Sequence, residues 1–399
     1  MGGQLLSNIK KEWWAIISAI CVIVLMKPYF VWSYDVSFVR YILIIIVLFN
    51  FNMSLNNIKY WIPFAFTMMI FPMTHQVPLS TYFSYLGLSL IPFTKEKYFL
   101  AVYQWFVRIY SIIMLISMFV WVLTLLGIIR PIGIISPLND IKVHQYYLYP
   151  FLVQPTAFSS FSSIFDLVRF CSVFDEAGVV GTISLLILFI NQFNLKNKIN
   201  IIVLLSGLIS LSLAFYIGLI VLLLSQSLLG MHSKRDKLII VGGFIVLVIA
   251  IFNIPILNEF IGNRLQFDFS QMKLIGDDRS NEALSAYIDQ IRWTKEYWCG
   301  ANSSIIHDSR FEGKWGIDMA VLQYGALYIF GYSFFFLLFA CLKFQKCKYH
   351  IFLFVLMYLM IMYQRPFISY VEYIFLFASY IRINAHNVRY SLVSKQRFE

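Results

Sequence analysis

Arg169, Asp175 and Glu176 stand together in "RFCSVFDEAG" at 169–178, directly ahead of the apolar run "VVGTISLLILFI". A guanidinium grips phosphate or carboxylate through paired hydrogen bonds, and a carboxylate can accept the proton of an attacking hydroxyl. The plainer reading is an interfacial arginine beside acids that cap a helix. Acids are favoured in a helix's first turn, and Asp175 is the simplest N-cap for a helix starting near Ala177. That role uses one acid. Glu176 is therefore expected to face a cavity near Arg169, as a positioning group or a proton acceptor.

A second concentration of polar chemistry lies further on, with Arg264, Arg279, Arg292, Asn302 and His307 spread between 253 and 317. The three arginines are candidates for binding an anion, Asn302 for contacting substrate, and His307 is the competing base. Each arginine also has acids close in sequence that would neutralise it, so the group carries more weight than any member. Within this stretch, apolar residues recur at helical spacing through "NEALSAYIDQIRWTKEYW" at 281–298, which predicts one amphipathic helix.

The elements that must position these residues follow from composition. Hydrophobic residues make up 60% of the chain and charged residues 13%, against about 25% charged in an average soluble domain. That predicts an all-α integral membrane protein forming a single membrane domain over 1–399. The net charge of +11 follows topology and not nucleic acid. Lysines collect in short loops, "NIKK" at 8–11, "TKEK" at 94–97, "NLKNK" at 194–198, "HSKRDK" at 232–237 and "KFQKCK" at 343–348, and short basic loops face the cytoplasm.

Keeping every basic loop inside gives about twelve transmembrane helices with both termini cytoplasmic. They run over 13–33, 37–53, 59–74, 78–93, 107–129, 177–192, 199–213, 214–230, 238–254, 318–341, 351–363 and 367–382. Two long loops then lie outside, 130–176 and 253–317. The run 199–230 has the length of one helix, but both its flanks are basic, so an even number of crossings must separate them. Two short helices joined at "SLSLAFY" satisfy this. Such a reversal needs cover from protein or a water-filled cavity, which puts Tyr216 beside a polar interior as a candidate substrate contact.

Other chemistries have no handle. There is no Gly-rich phosphate loop, HExxH or CxxC pair, so no cofactor and no metal are expected. Cys171 and Cys299 would share the oxidising exterior and are the pair available for a disulfide. His75 and His144 lack partners at metal-ligand spacing and read as structural.

The stretch "RFCSVFDEAGVVGTISLLIL" resembles the helix entry of bacterial O-antigen polymerases of the Wzy type. "NRLQ" at 263–266, "DDRSNEAL" at 277–284, "WCGANSSIIH" at 298–307 and "MAVLQYGALYIFGY" at 319–332 are similar, in order and spacing, to the large outer loop shared by O-antigen polymerases and ligases. Two departures from the ligases favour polymerase: Leu213 follows Ser212 where an arginine is usual, and Asp308 follows His307 where asparagine is usual. The resemblance implies a metal-independent glycosyltransferase of the bacterial inner membrane with a periplasmic active site. It would move a growing glycan from undecaprenyl pyrophosphate to an undecaprenyl-pyrophosphate-linked repeat unit, a step of lipopolysaccharide biosynthesis. Membrane lipid and a polysaccharide chain-length regulator are the partners it implies. An O-antigen ligase or related transferase is the alternative, and a lipid-linked oligosaccharide flippase a lesser one. A transporter would place its charges near the bilayer midplane and often show repeats.

Overall fold

Proline, glycine and charge set where the apolar runs stop, and the computed structural model of the protein turns nearly all of them into helices. It describes residues 2–75, 77–138, 145–156, 169–229, 234–263, 267–268, 273–274, 282–306, 308–311, 316–345, 347–366 and 369–396. The helices are α1 (Gly2–Leu25), α2 (Ser37–Phe49), α3 (Leu55–Thr74), α4 (Leu79–Leu88), α5 (Glu96–Leu125), α6 (Ala177–Ile190), α7 (Lys198–Ile209), α8 (Leu213–Leu229) and α9 (Lys234–Asn253). After these come α10 (Pro255–Leu257), α11 (Glu282–Ile291), α12 (Lys295–Cys299), α13 (Ser303–Ile306), α14 (Ile317–Tyr324), α15 (Ala326–Lys343), α16 (Lys348–Gln364) and α17 (Val371–Gln396).

Each apolar segment drawn from the sequence is helical over most of its length. Two helices, α5 and α15, are long and apolar enough to cross a membrane by length and composition; others are apolar but shorter. The run 199–230 is two helices, with Ser210 closing α7 and Leu211 in the left-handed region at φ 49°. The segment 318–341 is broken at Gly325 into α14 and α15. Gly325 has φ 82°, a conformation that L side chains rarely adopt.

α6 sits innermost. Every residue from Val180 to Ile190 is buried, and α5, α7, α8, α16 and α17 surround it or one another. Glycine sets the spacing, since a β-carbon at Gly181 would meet Ser212 Cβ at 2.5 Å. The outward faces of several helices are as apolar as the inward ones. On α2, Val39, Leu43 and Ile46 are buried while Phe38, Ile42, Ile45 and Phe49 are exposed. On α15 the exposed stripe is Leu327, Phe330, Phe334 and Leu338. A helix apolar on both sides is built for apolar surroundings on both sides.

The two long segments depart from expectation. The first contains a three-stranded antiparallel sheet in the order β1 (Gly133–Ile135), β2 (Tyr146–Tyr149), β3 (Leu152–Pro155), with Ile134 opposite Tyr147 and Leu148 opposite Val153. The second holds the two-stranded β4 (Phe267–Asp268) and β5 (Lys273–Leu274) and a small separate core of Leu284, Ile288, Ile291, Ala301, Phe311, Met319 and Leu322. The single helix expected over 281–298 is corrected to α11 and α12. The Thr294 amide and hydroxyl both donate to the Ile291 carbonyl, at 2.9 and 2.6 Å, and this closed turn puts Trp293 at φ 72°. α12 packs on α15, and Gly300 and Gly325, both at positive φ, touch: a β-carbon at Gly325 would lie 2.5 Å from the Trp298 carbonyl oxygen. Cys171 and Cys299 are free thiols, so the disulfide considered for them is not formed.

Candidate functional site

Helix ends converge where α6 and α17 begin and α16 stops. α16 ends because Pro366 follows Arg365 and disfavours helical backbone in the residue before it. As C-cap, Arg365 donates its amide to Ile361 O at 2.6 Å. Its side chain, only 12% exposed, turns inward and donates from Nη2 to Glu176 Oε2. The guanidinium lies where a β-carbon of residue 178 would be, so Gly178 is what lets it pass α6.

A buried guanidinium is tolerated when a carboxylate meets it. Burial works against the Arg365 charge, and the Glu176 carboxylate more than restores it, so its pKa is raised. Glu176 is also the N-cap of α6, in extended conformation, and its side chain makes no capping hydrogen bond. The expectation that Asp175 is the N-cap is thereby corrected by one residue. Asp175 lies within electrostatic reach of Arg365, and its carbonyl accepts from the Tyr146 hydroxyl at 2.5 Å.

Three further charges face the same place. Glu372, in the first turn of α17, is buried, with Lys27, Arg40 and Arg365 as its cationic neighbours. Arg40 Nε is buried and has no hydrogen-bond partner among the described residues. Tyr85, Tyr370 and Tyr373 line the cluster, with Tyr370 within reach of Arg40, Asp175 and Glu372. Arg169 is half-buried and approaches the α7–α8 turn, Nε to Ser210 O at 3.4 Å. The Tyr216 hydroxyl donates to Leu208 O at 2.9 Å and braces that turn from behind. Asp35 also lies within electrostatic reach of Lys27 and Arg40, so the cluster sets Lys27, Arg40 and Arg365 among the acids Asp35, Asp175, Glu176 and Glu372.

The other sequence candidates fall elsewhere. Arg292 is exposed in the turn just after α11, paired with Asp289 at 2.7 Å, and Asn302 is exposed just before α13. Arg264, Arg279 and His307 lie outside the described residues, as does His144. In the same segment Arg310 forks onto Asp308 at 2.7 to 3.1 Å, and these hydrogen bonds hold the Asp308 carboxyl below its usual range. His75 Nδ1 lies 3.0 Å from Phe71 O, consistent with a structural role, while its buried Nε2 has no hydrogen-bond partner among the described residues.

Sequence reasoning passed over Arg40, Arg365 and Glu372. A signal was present for Arg365, because the topology expected from the sequence sets the turn at 364–366 outside, where an arginine is not explained by the positive-inside rule; Arg40 and Glu372 fall within the apolar runs 37–53 and 367–382. No family model matches the sequence, and neither a curated protein nor a solved structure is significantly similar to it.

Proposed function

We propose that the protein is an O-antigen polymerase of the bacterial inner membrane, with about twelve spans, cytoplasmic termini and a periplasmic site. Three things support this reading: the ordered motifs of the sequence, the apolar outward faces of α2 and α15, and the charged cluster at the end of the bundle that carries both long segments. The observation that carries it is Arg40 at the charged cluster, whose buried Nε is unpartnered among the described residues. An orphaned buried donor costs about 1–3 kcal/mol, and an incoming pyrophosphate oxygen would satisfy it.

The acceptor sugar's hydroxyl oxygen attacks the anomeric carbon of the growing glycan. A carbon–oxygen bond forms there as the bond to the pyrophosphate oxygen breaks, and undecaprenyl pyrophosphate leaves with one more negative charge. Arg40, Arg169 and Arg365 stabilise that charge as it develops. Glu176, paired with the Arg365 guanidinium, serves as its positioning group. His307 takes the hydroxyl proton, and Arg279 and Arg264 join the anion from the large loop.

Purified protein in lipid nanodiscs, supplied with lipid-linked repeat units, tests this. Arg365→Lys and Glu176→Gln should each lose roughly 10²-fold or more in turnover, as removal of a preorganised charge-stabilising contact does, while remaining folded. Near-normal turnover in both would remove the cluster from the reaction. In a deletion strain the polymerase reading expects surface glycan of a single capped repeat. Absence of glycan on lipid A core would point to a ligase, and loss of the outward-facing intermediate to a flippase.

A further inference from the structure

Helices α2, α15 and α17 each pass from the charged cluster to the opposite end of the bundle, and there they enclose a second polar site. It is a cavity of about 140 Å³ lined by Asn52, Asn57, Thr94, Lys343, Arg382 and His386, with Glu96 at its edge and Phe93 and Phe339 as walls. Arg382 is fixed by two contacts, Nη1 donating to Pro92 O at 3.1 Å and Thr94 Oγ1 at 3.5 Å, and its guanidinium lies over the Phe99 ring at 4.5 Å. Its remaining N–H groups make no hydrogen bond among the described residues. His386 Nε2 sits 3.6 Å from Glu96 Oε1, and the Glu96 carboxylate also lies within electrostatic reach of Arg382. Lys343 ends α15 at the rim. The N-terminus of α5 adds to the field, since Lys95, its N-cap, makes no side-chain capping bond.

We propose that this cavity binds a phosphate group. The chemistry is that of phosphate recognition: a fixed planar guanidinium, a lysine ammonium at the rim, neutral amide donors, and a helix N-terminus. Basic pockets between helices at a membrane surface take up phosphate headgroups in this way. The phosphate belongs either to an anionic phospholipid or to a soluble anion. The inference is independent of the polymerase reading, because it uses no residue of the charged cluster.

The test uses the full chain in nanodiscs of phosphatidylcholine alone or of phosphatidylcholine mixed with phosphatidylglycerol, at constant ionic strength. The thermal midpoint is read with and without added inorganic phosphate or pyrophosphate. A rise of about 3–5 °C at saturation is expected from one source. A rise on adding phosphate or pyrophosphate in pure phosphatidylcholine identifies a soluble anion, and a rise only with phosphatidylglycerol identifies the headgroup. Lys343→Gln, at an exposed position, should abolish the rise without altering the starting midpoint, and Arg382→Lys should weaken binding about tenfold by losing the planar fork. No rise with any probe, or a full rise in both variants, overturns the proposal.

Discussion

Gly178 is the second residue of α6, and the space a β-carbon would take there is filled by the Arg365 guanidinium. Alanine is the better helix former by about 1 kcal/mol, yet Gly178→Ala must push Arg365 away from Glu176. The expected result is a lower thermal midpoint and loss of polymerisation. Adding Arg365→Ala should restore the midpoint, because the clash is gone, and should leave activity absent. Recovery of activity in the double variant would show that Arg365 only fills space. Asp175 and Glu176 were legible in the sequence because two acids ahead of an apolar run are a surplus over what a cap needs. Arg365 was not, because "QRP" reads as a turn, and only the fold brings position 365 beside position 176.

The α7–α8 reversal is where residue chemistry becomes a constraint on elements. Gly207 allows the Phe215 ring to lie on α7, and Ser210 Oγ donates to Gly207 O at 2.6 Å to close the turn. Gly207→Val should cost about 1–3 kcal/mol by overpacking, read as a lower unfolding midpoint in detergent. Reporters fused after Lys198 and after Lys237 should both report the cytoplasm, with one near Leu213 outside. Opposite signals from the first two would mean that α7 and α8 do not cross as a pair. This reversal was readable from the lysines at both flanks. The breaks at Trp293 and Gly325 were not, since a tryptophan gives no hint of positive φ and a lone glycine in an apolar run reads as a tolerated helix residue. Strands of three or four residues such as β1–β3 leave no periodicity long enough to detect.

At the scale of the molecule the described residues pack as the bundle, a small cluster of Tyr146, Val153, Cys171 and Ala177, and the core of the second long segment. Leu284 is fully buried in the last of these, and Leu284→Ala should cost that core about 2–5 kcal/mol. Limited proteolysis should then cut between 253 and 317 while the bundle fragment stays intact; unfolding of the whole chain would mean that the two are one cooperative unit. Composition alone announced the bundle, whereas the separate core needed the chain to fold back between α11 and α14. The glycine contact that joins this core to the bundle, Gly300 against Gly325, also has a mechanical meaning. Gly325 is the pivot of a rod, because α15 starts at the next residue and runs without a break to Lys343. At 1.5 Å per residue the rod is about 27 Å long. A tilt of about 4° at the pivot swings its far tip by about 2 Å, more than a hydrogen bond to an anion beside Lys343 can absorb. Any load that rocks the second long segment is thus felt, through one lever, at the far end of α15.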